Sequence, residues 1–123
     1  MLLGLRTVIY HVNDLNKAKD WYMQVVGHQP YFDQPFYVGF NVGGYELGID
    51  PDSTDISKGG STFVYWGVPD AHAEYQRLLK LGAIRNTDLQ DVGEGIVVGT
   101  LLDPWGNIFG IIQNPNFKPE AAQ

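Results

Sequence analysis

Glu46 and His11 are the residues of this 123-residue chain that offer acid–base chemistry from within a strand pattern. A carboxylate in a partly apolar cleft can have its pKa raised toward neutrality and so serve as a general base. Histidine titrates near neutrality without such help. The competing reading is local: Glu46 at a sheet end paired to an arginine or to water, and His11 bonded to backbone, as lone polar residues generally are. The other two histidines are placed less usefully. His28 follows a helix end in a loop, and His72 sits in a first helical turn facing solvent. The chain has no cysteine, which removes disulfides, thiolate catalysis and thiolate metal sites together.

The elements that must position these residues are written twice. Thr7-Val8-Ile9-Tyr10-His11-Val12-Asn13-Asp14 and Phe63-Val64-Tyr65-Trp66-Gly67-Val68-Pro69-Asp70 each alternate as a strand and run through Val-x-Asp into a helical pattern. Asp14 and Asp70 are helix caps, and Gly27 and Gly82 suit the left-handed residue that ends a helix. The first helix, Leu15 to Val26, turns Leu15, Ala18, Trp21, Tyr22 and Val25 to one side, and the second turns Ala71, Tyr75, Leu78 and Leu79 inward. Aromatics at this spacing anchor a helix on a sheet more often than they form a ligand box.

Each helix should be followed by three strands. In the first module these are Gln29 to Asp33, Phe36 to Val42 and Tyr45 to Asp50, with a Gly43-Gly44 hairpin turn between the last two. In the second they are Ala83 to Thr87, Ile96 to Leu102 and Asn107 to Gln113, with Asp88 to Gly95 as a mobile polar loop and Asp103-Pro104-Trp105-Gly106 as a turn. The expectation is an α+β protein: one domain over residues 1–123, made of module 5–50, linker 51–60 and module 61–115. Its eight strands form a curved mixed sheet with two helices outside.

Fourteen acids against eight bases give a net charge of −6 without a basic cluster, which argues against nucleic acid. A cationic ligand would be tolerated. No apolar run reaches the roughly 18 residues of a membrane span, and no basic-apolar-small leader opens the chain, so a cytoplasmic protein is expected.

These residues resemble the vicinal-oxygen-chelate superfamily of glyoxalases, bleomycin- and fosfomycin-resistance proteins and extradiol dioxygenases. The likeness rests on Val12-x-Asp14-Leu15 leading into Trp21-Tyr22 and Gly27, then on Val68-x-Asp70, Leu81-Gly82-Ala83 and Asp103-Pro104-Trp105-Gly106-Asn107. It spans about residues 5 to 115. It implies tandem β-α-β-β-β modules whose sheets curl around a cleft, often in a homodimer. The metalloenzymes of that superfamily place His or Glu at four cleft-facing positions, and the resemblance carries those positions to Thr7, Gly48, Phe63 and Gly110. Threonine, phenylalanine and two glycines supply neither imidazole nor carboxylate, so no metal or other cofactor is expected. Only a register slip of two residues, bringing Glu46 to the place of Gly48, would restore one ligand.

The cleft would then be lined by Thr7, Ile9, His11, Glu46, Gly48, Phe63, Tyr65, Ile108, Gly110 and Ile112, mostly apolar with a few polar groups, as a small-molecule site needs. Gly48 and Gly110 either leave space for a ligand or allow close backbone approach. Three functions follow, in this order. The first is a metal-free protein that binds a small organic molecule. The second is a glyoxalase-like lyase or dioxygenase using Glu46 and His11 as acid and base or as displaced metal ligands. The third is a non-catalytic dimeric structural or regulatory module, recognisable by a cleft filled with its own side chains such as Phe63 and Tyr65.

Overall fold

The computed structural model describes residues 1, 3, 5–51 and 64–116. Residues 52–60 of the expected linker, and Phe63, lie outside the described residues. The chain divides into two compact units, and each carries one copy of the repeat.

The first unit runs β1 (Thr7–His11), α1 (Leu15–Val26), β2 (Phe32–Gln34), β3 (Tyr37–Val42) and β4 (Tyr45–Asp50). Asp14 caps α1 by accepting from the Lys17 N–H, and Gly27 closes it in the left-handed region at φ 87°, its N–H donating to the Met23 carbonyl. The strands order as β1-β4-β3-β2, with β1 parallel to β4 and the other pairs antiparallel. The register puts Val8, Tyr10, Val38, Phe40, Leu47 and Ile49 on one face. Ala18, Trp21 and Tyr22 are the buried residues of α1, and the Tyr22 ring lies 6.0 Å from that of Tyr10. Leu47 and Ile49 are fully buried, each contributing about 1.5–3 kcal/mol of burial energy.

The second unit repeats the plan with β5 (Val64–Gly67), α2 (Ala71–Lys80), β6 (Ile84–Gly93), β7 (Ile96–Leu102) and β8 (Ile108–Gln113). Asp70 caps α2 through the Ala73 N–H with the same extended φ of −141° as Asp14. Strand order is β5-β8-β7-β6, again with the first and last strands of the module parallel. The core holds Tyr75, Leu78, Leu101, Phe109 and Ile111, with Trp66 stacked on Phe109 at 5.5 Å. The Tyr75 hydroxyl donates to the Thr87 and Thr100 carbonyls, so the aromatic anchor of α2 also ties β6 to β7.

Among the described residues the α+β class, the two helices and the eight strands are as expected, the strands forming two four-stranded mixed sheets. Several strand boundaries shift by a residue, and two shift further. The second strand begins at Phe32 rather than Gln29, because pairing to β3 starts where Phe32 meets Gly39. The expected polar loop at Asp88 to Gly95 is instead mostly strand: β6 continues to Gly93 and turns through Glu94-Gly95. Register shifts at three places along β6 absorb the residues that break its alternation, and the Leu89 side chain fills the space over Gly99. No described helix is long and apolar enough to cross a membrane.

Candidate functional site

The face of the first sheet turned away from α1 is a small grid fixed by strand register. Its rows are Thr7–Glu46–Asn41, then Ile9–Gly48–Gly39–Phe32, then His11–Asp50. The middle row is the informative one, because two glycines stand side by side where the outer strands carry Ile9 and Phe32. Side chains alternate along a strand, so burial of Val38 and Phe40 sends Tyr37, Gly39 and Asn41 to this face.

The bare backbone at the two glycines is covered by tyrosine. The Tyr37 ring lies over Gly48, where an added Cβ would collide with its hydroxyl. Over Gly39 lie the Tyr31 ring and the Glu46 carboxylate, whose Oε2 would stand 2.8 Å from an added Cβ. The hydroxyls converge on Glu46. Its Oε1 accepts from Thr7 Oγ1 at 3.1 Å and from the Tyr37 hydroxyl at 3.1 Å, while Oε2 accepts from the Tyr31 hydroxyl. Phe32 stands beside this group, with ring centroids 6.4 Å from Tyr31, 6.1 Å from Tyr37 and 6.0 Å from Phe36. Tyr31, Phe32, Phe36 and Ile9 are all exposed, Tyr31 by 63%.

The electrostatics follow from the donors. The Tyr31 hydrogen bond, supported by those of Thr7 and Tyr37, holds the Glu46 carboxyl below the usual carboxylate range and outweighs the opposing effect of burial. This corrects the expectation of a raised pKa: Glu46 stays ionised near neutral pH and is a weak base there. Burial, with the charge and hydrogen bond of Glu46 behind it, pushes the Tyr37 phenol up to about 12. The Glu46 hydrogen bond also raises Tyr31. The two signs set two pH windows. Stabilisation from ionised Glu46 is present above the unfolded carboxylate pKa and lost as pH falls through its lowered value. That from Tyr37 is present below the unfolded phenol pKa near about 10 and lost as pH rises through its raised value. Phenolate absorbance during alkaline titration should show Tyr37 ionising late. Glu46→Gln should bring it only part of the way back, because burial is the larger cause.

The remaining sequence candidates separate into groups. Thr7 joins Glu46 directly, and Ile9 and Gly48 adjoin it in the grid. His11 does not join it. It pairs in register with Asp50, four residues along from the Thr7–Glu46 pair and so about 13 Å away. Glu46 and His11 therefore cannot pass a proton directly between them. His28 bonds the Asn41 carbonyl at 2.7 Å, a structural contact. In the second unit Tyr65, Gly110 and Ile108 share the open face of their own sheet, with the Tyr65 ring and the Val64 carbonyl closing over Gly110. Sequence reasoning missed Tyr31, Tyr37 and Gly39. The alternation of Val38 and Phe40 was the available signal for the last two.

The residues at the positions the resemblance assigns to a metal do not fit one. The Thr7 hydroxyl is directed to Glu46, and Gly48 and Gly110 lie under tyrosine rings. Among the described residues no three of His, Cys, Asp and Glu are grouped to hold a metal ion.

Paired β-α-β-β-β units with first and last strands parallel define the class of this protein, and comparison with known proteins agrees. The glyoxalase/bleomycin resistance protein/dioxygenase superfamily model matches residues 4–111, and the chain belongs to that superfamily. Among solved structures, it is similar to a genomically encoded fosfomycin resistance protein from Listeria monocytogenes, with TM-score 0.78, 14% identity and 100% of both chains covered. A glyoxalase-related enzyme from Fulvimarina pelagi gives TM-score 0.76 at 20% identity, covering 98% of this chain and 95% of that one. A superfamily member from Sphaerobacter thermophilus gives TM-score 0.74 at 21% identity, covering 92% and 98%. At these identities the likeness is one of fold alone. No curated protein matches the chain.

Proposed function

We propose that this chain is a metal-independent member of the superfamily that binds a small organic molecule on the open face of its first sheet. The observation that carries the reading is the Glu46 carboxylate clamped by Thr7, Tyr31 and Tyr37 over two glycines, beside exposed aromatic rings. A carboxylate held below its ordinary pKa by three hydroxyls is built to keep its charge and its position. That suits recognition better than proton transfer. The separation of His11 from Glu46 supports the same choice, and the superfamily includes proteins named for resistance to antibiotics as well as enzymes. A second reading has its own support: tyrosine rings over Gly48 and Gly110 are the self-filled faces expected of a non-catalytic structural module, a homodimer in its simplest form.

Two measurements on the purified protein separate these readings from the enzymatic one. After incubation with Ni²⁺, Mn²⁺, Fe²⁺ and Zn²⁺ and thorough desalting, elemental analysis should find no stoichiometric metal. A near-stoichiometric ion that disappears in Glu46→Gln would sink the proposal. In a thermal-shift screen of small organic molecules, hits on the native protein should weaken about tenfold or more in Glu46→Gln, as loss of a charged hydrogen-bond acceptor predicts. An empty screen, with sedimentation showing a dimer, would favour the structural reading.

A further inference from the structure

The Glu46 site specifies more than "a small molecule", because its acceptor capacity can be counted. A carboxylate offers about four lone-pair positions, two on each oxygen. The Thr7 and Tyr37 hydroxyls take both positions on Oε1, and Tyr31 takes one on Oε2. One position remains, on the oxygen that lies over Gly39. Among the described residues no lysine, arginine or histidine pairs with Glu46. Four of the described cations stand elsewhere: Lys17 with Asp14, Lys19 with Asp33, Arg77 with Glu74, and Arg85 over the Tyr75 ring. An ionised carboxylate with no counter-cation among the described residues, in a chain of net charge −6, calls for a positive ligand.

The surroundings narrow the cation. Phe32, paired in register with Gly39, and Tyr31 stand beside the open position with rings tilted 54° to each other. Aromatic faces attract alkylated ammonium groups and are exposed here to receive one. A guanidinium binds a carboxylate best as a fork, with a free position on each oxygen, and Oε1 has none, so it would lose its two-point advantage here. A primary ammonium brings three N–H donors to one acceptor and meets rings with the other two.

We infer that the first sheet binds a tertiary ammonium, an N-alkylated amine whose single N–H donates to Glu46 Oε2 while its alkyl groups lie against Tyr31 and Phe32. This rests on the reading of the face as a small-molecule site and names the ligand class.

A matched series of benzyl compounds tests it by calorimetric titration of the whole protein at neutral pH. The members are benzyldimethylamine, benzylamine, benzyltrimethylammonium, benzylguanidine, and neutral benzyl alcohol. Benzyldimethylamine should bind about tenfold tighter than benzyl alcohol and measurably tighter than every other member. Glu46→Gln should remove that preference, and Phe32→Ala, at an exposed position that leaves the core untouched, should weaken the amine several-fold. Equal binding of all members, unchanged by either variant, would overturn the tertiary-ammonium inference and leave small-molecule binding standing. Preference for the guanidine or primary amine would overturn the lone-pair count. If no member binds and the wider screen is also empty, both the inference and the reading beneath it fall.

Discussion

Gly110→Ala should destabilise the protein by about 2–3 kcal/mol, the upper range for overpacking a paired interior position. An added Cβ would stand 2.6 Å from the Val64 carbonyl oxygen and 2.8 Å from Tyr65 Cδ1. The Tyr65 ring can swing, since it is partly exposed, but the carbonyl cannot. It belongs to β5, which pairs in parallel with β8 from Val64↔Phe109 to Gly67↔Ile112. Moving it disturbs that ladder and the stacking of Trp66 on Phe109 behind it. Gly48→Ala is the informative control. There the colliding atoms all belong to the far end of Tyr37, which can rotate off the sheet, so the expected loss is about 1 kcal/mol. Chemical denaturation of both variants measures the difference. Equal losses would show that the Gly110 backbone has room to yield.

The fold was legible because its signals are short and chemically obligatory. Asp14 and Asp70 cap their helices as read, and Gly27 and Gly82 carry the positive φ that follows a helix end. Tyr22 and Tyr75 bury fully because helical spacing sets them with the other buried residues of their helices. The site was legible only in part. Strand alternation placed Thr7, Ile9, Glu46 and Gly48 on one face, and the register confirms that they meet. What alternation cannot give is where a long side chain bends. Tyr37 shares a face with Glu46 from the neighbouring strand, and reaches its carboxylate only because Gly48 is bare. Tyr31 precedes its strand and has no periodicity to betray it. The pKa of Glu46 was misjudged for the same reason: an apolar wall was legible, but three hydroxyls from separate parts of the chain were not. The error at Asp88 to Gly95 has another origin. Polar residues and glycine are turn signals locally, yet the bulged pairing of β6 to β7 outweighs them.

Asp103→Ala should cost about 3–4 kcal/mol, because it strips a buried turn of a charged acceptor and leaves its donors without a partner. Asp103 is 1% exposed. Its Oδ1 accepts the backbone N–H groups of Trp105 at 2.9 Å and Asn107 at 2.8 Å, and Oδ2 accepts from the Asn107 amide at 2.9 Å. These bonds, with Gly106 at φ 86°, turn the chain from β7 into β8 and so set the register that faces Thr100 to Gly110. Asp103→Asn distinguishes charge from geometry. Its carbonyl can keep both backbone bonds, while its amide would oppose the Asn107 amide until that side chain turns over and presents oxygen instead. The loss should then be near about 1 kcal/mol, the ordinary worth of a neutral exchange. The first unit shows the weaker version of this device, where Asn41 Oδ1 accepts from the Gly44 N–H across the hairpin from β3 to β4. If Asp103→Ala and Asp103→Asn lose the same amount, the ionic charge rather than the oxygen geometry holds the turn. If neither loses more than a few tenths, the β7–β8 ladder sets its own register and the turn merely follows.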